Sequence, residues 1–433
     1  MKRFNIRPRG NAKELTQVTQ WPLRSHGTQS SGYLSRVGNY GADVIKVETV
    51  GKGDDTRHWM MPGEPEKWKK SAGPMSNYFS AVNRNKRSIT LDLKQREGKD
   101  ILRKLARNAD VLIENFKPGT MDRLGLGYEN LQKENPRLIY ASISGKSPIH
   151  PSQWNSADTG RGYGSTGPYA SRGGYDPIAA AEAGLIHITG EKDGPPVRTG
   201  IGMVDMATGL YLHGAILAAV YARERDGRGQ RVETSLFETQ LSLLTNVGLS
   251  WLNLGIEAQR WGCQHPSIAP YDAFQTKDAY LVCGATNDAQ FAALCKLLGL
   301  ENLITDDRFL TNPKRVENRH LLGPIFDKVF MNRTTEEWVK LFEKTGLPFG
   351  PINNMERAFE HPQAVARDMI SKVKLDEAES GELRLIGPAV KFSRTRTNLK
   401  RAPPRLGEHT SELLEELGIE KQQAAELKKK GIV

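Results

Sequence analysis

Three cysteines in 433 residues are too few and too scattered for a disulfide framework. Cys263, Cys283 and Cys295 cannot all pair, and none lies in a C-x-x-C arrangement. That argues against a structural zinc site and for a reducing compartment. No H-E-x-x-H pattern occurs, and His58, His213, His265 and His409 stand far apart, so no metal site is expected. A G-x-S-x-G elbow is also missing, which leaves a serine hydrolase without a local motif. There is no run of about 18 apolar residues, so no membrane span is expected. The most apolar stretch, Ala207 to Tyr221, contains His213 and reads as a buried helix. Aromatic residues are sparse at 7%, and no RNP-type or zinc-finger pattern is visible, so nucleic acid is not expected despite a net charge of +11. A phosphate-bearing small molecule accounts for the basic excess equally well.

Acidic residues are scarce at the start. Lys2, Arg3, Arg7, Arg9, Lys13 and Arg24 face the single acid Glu14. Such a start suits a mitochondrial transit peptide, with a basic tail on a cytoplasmic protein as the alternative. Taking roughly 150 residues per domain, the length predicts two or three domains.

From Gly41 onward, strand-like and helix-like segments alternate. Ala42–Glu48, Ser88–Leu93, Val111–Ile113, Arg137–Ile143 and Arg231–Ser235 read as strands. Gln95–Asn108 and Met206–Arg225 read as helices between them, which predicts a parallel α/β architecture. Residues 1–30 supply no obvious first strand, and residues 146–161 form a polar interruption in a glycine-rich passage. The predicted layout is an atypical basic segment over 1–30 and the first part of a large domain over 31–235. A linker over 236–265 and a small domain over 266–350 follow, and residues 351–433 return to the large domain and end in helices.

Gly162-Tyr-Gly164-Ser-Thr-Gly167 matches the dinucleotide fingerprint G-x-G-x-x-G, but Pro168 follows where a helix is needed. A nucleotide turn is therefore not expected. Ser144-Gly-Lys-Ser147 imitates the end of a P-loop, with Tyr140 where the first glycine belongs. Asp205 directly precedes the helical stretch and reads as its N-cap. A carboxylate there is held ionised by the helix dipole, which is the state a carboxylate nucleophile needs.

GADVIKVE (41–48), GKGDDTR (51–57), NRNKRSITLDLK (83–94), ENFKPGTMDRLGLGYE (114–129), YGSTGPY (163–169), GYD (174–176) and GRGQRVETSLFE (227–238) occur in one order. Together they resemble the class III CoA-transferases of the CaiB/BaiF type, from about Gly38 to the C-terminus. Within that family, RWGCQHPSIAPYDAFQTKD (260–278) and GLPFGPINNM (346–355) are most similar to mitochondrial members that exchange CoA between succinate and glutarate. The resemblance implies a Rossmann-like large domain with a parallel sheet, a smaller inserted α+β domain and interlocked homodimers. It implies an acyl-CoA and a dicarboxylic acid as substrates, with no permanently bound cofactor. Asp205 matches the family's nucleophile, and Lys94, Asn115, Phe116 and Arg123 match its CoA contacts. Arg260 is a candidate for the acid's second carboxylate, because a guanidinium pairs with it bidentately, and Tyr163 is a further candidate substrate contact. Taken one at a time, Lys94 and Arg123 read equally as solvated residues and Phe116 as core.

The family's racemases carry a basic histidine where this chain has Tyr175, and a phenol with a pKa near 10 is a poor base at neutral pH. Transfer is therefore preferred to epimerisation. A CoA-binding remnant without turnover is the non-enzymatic alternative, because the family's usual N-terminal strand is not recognisable. Thr49 also replaces a frequent arginine. The atypical N-terminus and the 146–161 interruption are read as products of a faulty gene model, such as translated intron sequence.

Overall fold

Six short strands form one sheet in which every neighbouring pair runs parallel. They are β1 (Trp21–Arg24), β2 (Val44–Glu48), β3 (Lys86–Thr90), β4 (Val111–Glu114), β5 (Ile139–Ile143) and β6 (Arg231–Thr234), in the order β3-β2-β1-β4-β5-β6. This computed structural model describes residues 38, 40–143, 162–170, 172–395, 397 and 399–433, and the backbone of 21–24. The interruption expected over 146–161 lies outside the described residues.

One expectation is overturned at the centre of the sheet. The first strand is present: β1 pairs with β2 from Trp21–Val44 to Leu23–Lys46, and with β4 at Leu23–Ile113 and Arg24–Glu114. The sheet has no gap. A run of 4 residues is too short to show alternation, and Pro22 counts against a central strand by the usual rule, which is why the sequence hid it.

Strands β2 to β5 are buried throughout, as expected of parallel strands covered on both faces. Helices α1 (Asn77–Asn83), α2 (Arg96–Arg107), α3 (Thr120–Arg123), α4 (Tyr128–Glu134), α5 (Asp176–Glu182), α6 (Met203–Asp226) and α7 (Leu236–Leu243) accompany the sheet. On one face Ile45, Leu112 and Tyr140 meet Ile101, Leu102 and Leu105 of α2. On the other, Val44, Ile113 and Ala141 meet Leu212, Ile216 and Ala219 of α6.

Not every buried strand residue is apolar. Lys46 of β2 pairs with Asp54 at 2.6 Å, and Glu48 pairs with Arg57 at 2.7 Å. Strand β3 starts two residues before its expected limit because Lys86 and Arg87 are buried, paired polar residues rather than a solvated approach. Lys86 donates to Asn83 at 2.9 Å, and Arg87 bridges Asp43, Glu412 and Glu416. Burial, followed by the neighbouring charge of Lys46, pushes the Lys86 ammonium well below its usual pKa.

The chain divides into two compact units. The larger takes the described residues up to Gly184, Gly200–Gly248 and Ala366–Val433; the smaller takes Leu185–Thr199 and Leu249–Val365. Helix α8 (Thr245–Leu254) ends in the smaller unit. There β7 (Tyr271–Gln275), β8 (Tyr280–Gly284) and β9 (Phe349–Pro351) form an antiparallel sheet. Helices α9 (Asp288–Leu298), α10 (Asn312–Glu317), α11 (Arg319–Phe330) and α12 (Thr335–Phe342) pack on an aromatic core, with Phe274 stacked on Phe330 at 4.7 Å. Two short helices, α13 (Met355–Phe359) and α14 (Pro362–Ala366), lead to the hairpin β10 (Ile370–Lys374) and β11 (Glu382–Ile386). Finally α15 (Thr410–Glu416) and α16 (Lys421–Lys429) return Leu413, Leu414 and Leu427 to the core beside α2.

Candidate active site

Parallel strands share one carboxyl edge, and a sheet whose order reverses beside β1 opens a crevice there. A helix that crosses between two parallel strands runs against them, so its N-terminus points to that same edge. Helix α6 makes this crossing between β5 and β6. It has 24 residues, about 36 Å at 1.5 Å per residue, far longer than the strands. Leu212, Ile216 and Ala219 pack on the sheet, so the first turns extend past its carboxyl edge.

Asp205 sits in that first turn. Spacing suggested an N-cap; the structure places the cap at Gly202 and Asp205 three residues inside the helix. The apolar run extends upstream through Val204, which is fully buried, so the helix starts earlier than Asp205. Asp205 itself is only 8% exposed. Its backbone N–H donates to Asp176 Oδ2 at 3.0 Å, and Asp176 is the first residue of α5. A glycine cap offers no side chain to the first-turn amides, and a carboxylate from another helix takes its place.

The α6 stretch is buried on one face only. Leu210, Tyr211, Leu217 and Tyr221 are exposed on the other. Among the described residues, α6 is the helix long and apolar enough to cross a membrane, but one side of it belongs to the sheet core.

Asn115 and Phe116 follow β4 directly at the carboxyl edge, with Asn115 buried and Phe116 half-buried against the core. Arg123, at the end of α3, is exposed and donates to Thr120 at 3.1 Å. Lys94 follows β3 at the same edge and is exposed. Strand β3 lies three places from β4, about 14 Å across the sheet, so Lys94 starts from a different part of that edge.

Glu114 went unnoticed in the sequence. It ends β4, and its Oε2 accepts the Phe116 N–H at 2.7 Å, fixing the turn that carries Asn115 and Phe116. Burial pushes its carboxyl up to about 8, against the smaller lowering effect of the Phe116 amide. Beside it lies a cavity of about 270 Å³ lined by Lys117, Asp122, Tyr128, Tyr140 and Arg231. An acid closing a fully buried apolar strand, VLIE, was the available signal.

The glycine-rich loop shows why its glycines are there. A Cβ on Gly162 would come 2.8 Å from the Gly174 Cα, and one on Gly174 would meet Gly162 as closely, so the two backbones touch. No helix opens at Gly167; the next begins at Asp176. The loop is therefore not a dinucleotide turn. Tyr163 lies in it half-buried, packed on Phe237 and Tyr169 with the Arg172 guanidinium over its ring at 5.5 Å. Burial, and after it the neighbouring Glu182 carboxylate, raise the Tyr163 phenol above its usual pKa.

Arg260 belongs to the smaller unit. Its Nη1 donates to the His187 carbonyl at 3.1 Å, while its buried Nε meets no hydrogen-bond partner among the described residues. Tyr175, the residue in the racemase histidine position, is 64% exposed and caps α5 through its backbone. No cluster of three or more His, Cys, Asp or Glu side chains suited to a metal occurs among the described residues.

Residues 33–148 and 159–410 match the family model described as CoA-transferase family III. The chain belongs to CoA-transferase family III. It is 63% identical over 395 residues to an acyl-CoA transferase of Fusarium pseudograminearum, covering 91% of this chain and 83% of the relative. It is 39% identical over 432 residues to the human succinyl-CoA:glutarate CoA-transferase, covering 99% of this chain and 90% of that protein. A solved CAIB/BAIF family protein from Brucella suis superposes with a TM-score of 0.77 at 36% identity, covering 93% of this chain and 98% of that one. The family match skips 149–158, inside the polar interruption that the sequence marked. This CoA-transferase thus has the mixed α/β fold with a parallel sheet seen in its structural relatives.

Proposed function

We propose that this CoA-transferase moves CoA from succinyl-CoA to glutarate or a similar dicarboxylate, with Asp205 as the covalent carrier. The observation that carries the reading is a buried aspartate in the first turn of α6, at the carboxyl edge of a sheet whose order reverses beside β1. The helix dipole and first-turn amides favour its carboxylate form, which is the nucleophilic one.

In the proposed sequence the Asp205 carboxylate attacks the thioester carbonyl, giving a mixed succinyl anhydride and CoA thiolate. The thiolate attacks the aspartyl carbonyl, forming an enzyme thioester and releasing succinate. The incoming dicarboxylate attacks that thioester, regenerating an anhydride and the thiolate. Thiolate attack on the new acyl carbonyl then frees the acyl-CoA and the Asp205 carboxylate. Each step exchanges one acyl bond for another, so the chemistry calls for no redox change. Backbone amides near the glycine-rich loop are assigned to the oxyanions. Asn115 and Phe116 are assigned to CoA, with Lys94 and Arg123 as its phosphate partners. Arg260 is assigned to the distal carboxylate of the acid and Tyr163 to the substrate side of the loop.

The succinate–glutarate assignment is supported by the human relative's activity and by its 39% identity over nearly the whole chain. Relatives named for oxalate and for mesaconate, at 39% and 33% identity, mark how far the acid varies. A homodimer is part of the proposal. The exposed Leu210, Tyr211, Leu217 and Tyr221 of α6, and Leu249, Trp251 and Leu252 of α8, are apolar area suited to a second copy. The basic, acid-poor start supports a mitochondrial matrix location, which a fluorescent fusion tests. Succinyl-CoA supplied with a panel of mono- and dicarboxylates tests the acid pair; transfer preferring monocarboxylates would overturn it.

A further inference from the structure

We infer that Asp176 is the positioning residue of the transfer reaction, holding Asp205 in place through its main chain. The inference rests on the assignment of Asp205 as nucleophile. Two short stretches of sequence, 29 residues apart, meet here at the N-termini of two helices. Helix α5 opens with Asp176, and α6 opens with a glycine cap that leaves its first-turn amides without a capping side chain. The Asp176 Oδ2 accepts the N–H of Asp205 itself at 3.0 Å.

A Cβ on Gly202 would lie 3.5 Å from Asp176 Oδ2 and 3.7 Å from the Asp205 Cβ, so Gly202 stands between them. Its φ of −70° is open to any residue, so glycine is not demanded by the backbone there. Both distances are ordinary van der Waals contacts, so a Cβ would fit there too, and the junction rests on the Asp176 carboxylate rather than on glycine. With its N–H anchored, the Asp205 main chain is held in place at the start of α6.

That restriction matters because the proposed carrier is remade four times in one turnover. Each acyl exchange needs the aspartyl group to present itself to the reacting partner from nearly the same position. A shift of about 1 Å in such a group costs about a hundredfold in rate. Asp176 touches the backbone of the nucleophile in this arrangement and acts on the chemistry through it.

The test compares Asp176→Ala, Asp176→Asn and Asp176→Glu with wild type and Asp205→Ala, each checked for folding by thermal melting. Steady-state transfer from succinyl-CoA gives kcat and KM separately, and mass spectrometry of the Asp205 peptide after one turnover reads the covalent intermediate. Removing the acceptor is expected to lower kcat and intermediate formation about a hundredfold, with the KM for succinyl-CoA changed less than about threefold. Asn keeps an oxygen at the same reach and is expected to recover turnover to within about tenfold of wild type. Glu, one methylene longer, displaces the oxygen and is expected to do worse than Asn. If Asp176→Ala does not fold, the Asn and Glu pair decides alone. An alanine variant as fast as wild type, or a Glu variant better than Asn, overturns the inference. Survival of turnover in Asp205→Ala instead overturns the nucleophile assignment, so the two failures are distinct.

Discussion

Arg57 and Glu48 face each other with no solvent contact on either side chain: Nε and Nη2 of the guanidinium grip both carboxylate oxygens at 2.8 and 2.7 Å. The guanidinium also lies 3.7 Å over the Phe79 ring and donates to the Pro404 carbonyl at 3.1 Å. One side chain thereby ties β2, α1 and the C-terminal segment together. Burial alone would push Glu48 up, but the Arg57 bonds and charge outweigh it, and its carboxyl lies below the usual range. Arg57→Ala leaves that carboxylate buried without its partner, and chemical denaturation is expected to show a loss of about 3–5 kcal/mol. A loss below about 1 kcal/mol would show that solvent reaches Glu48.

The neighbouring pair sets a limit at low pH. Burial raises Asp54, but Lys46 at 2.6 Å outweighs it and brings its carboxyl to about 2. A depressed carboxyl contributes stability above its unfolded pKa, and that contribution is lost as pH falls through the folded value. Roughly 2 kcal/mol is therefore expected to disappear between about pH 4 and pH 2, taking 1.36 kcal/mol per pKa unit. In Asp54→Asn, measured by denaturant titration across that range, this part of the acid dependence should be missing.

Glu114 carries the opposite sign. Its carboxyl is raised to about 8, so between its unfolded pKa near 4.5 and that value the folded state holds a proton the unfolded chain has released. Its burial destabilises the protein increasingly as pH rises through that window. Glu114→Gln removes the titration and keeps an oxygen for the Phe116 amide. The variant should melt higher than wild type at pH 8, and the gap should shrink toward pH 5. A gap that is constant with pH would mean that Glu114 does not titrate there.

The acid assigned to Arg260 has its own kinetic signature. Arg260→Ala is expected to raise the KM for the dicarboxylate about tenfold or more while that for succinyl-CoA changes little, since one charged hydrogen-bonded pair contributes about 1.5–3 kcal/mol. Equal changes in both constants would remove Arg260 from acid recognition.

Most of the fold was legible because parallel strands buried on both faces write themselves as short apolar runs, as in VIKVE and VLIE. The first strand was not, because WPLR is brief and carries a proline, and only its two neighbours define it. Asp205 was legible as a carboxylate at a helix start, though its depth in the first turn depended on where α6 begins. Asp176 was visible only as part of GYD; its contact with the Asp205 amide comes from the approach of two helices, which spacing does not encode. Glu114 was hidden for a related reason, since its burial comes from the elements around the end of β4. The gene-model reading of the 146–161 passage is a matter for transcripts: continuous reads through it in the main message would contradict that reading.

The most direct measurement is CoA transfer from succinyl-CoA to glutarate by wild type and by Asp205→Ala, with both proteins shown to be folded. Wild type should form glutaryl-CoA, and the variant should lose at least about 10³-fold in kcat, as expected when a covalent nucleophile is removed. A variant that turns over at the wild-type rate would contradict the covalent role of Asp205, and a folded wild type that binds CoA without transferring it would favour a non-catalytic relative.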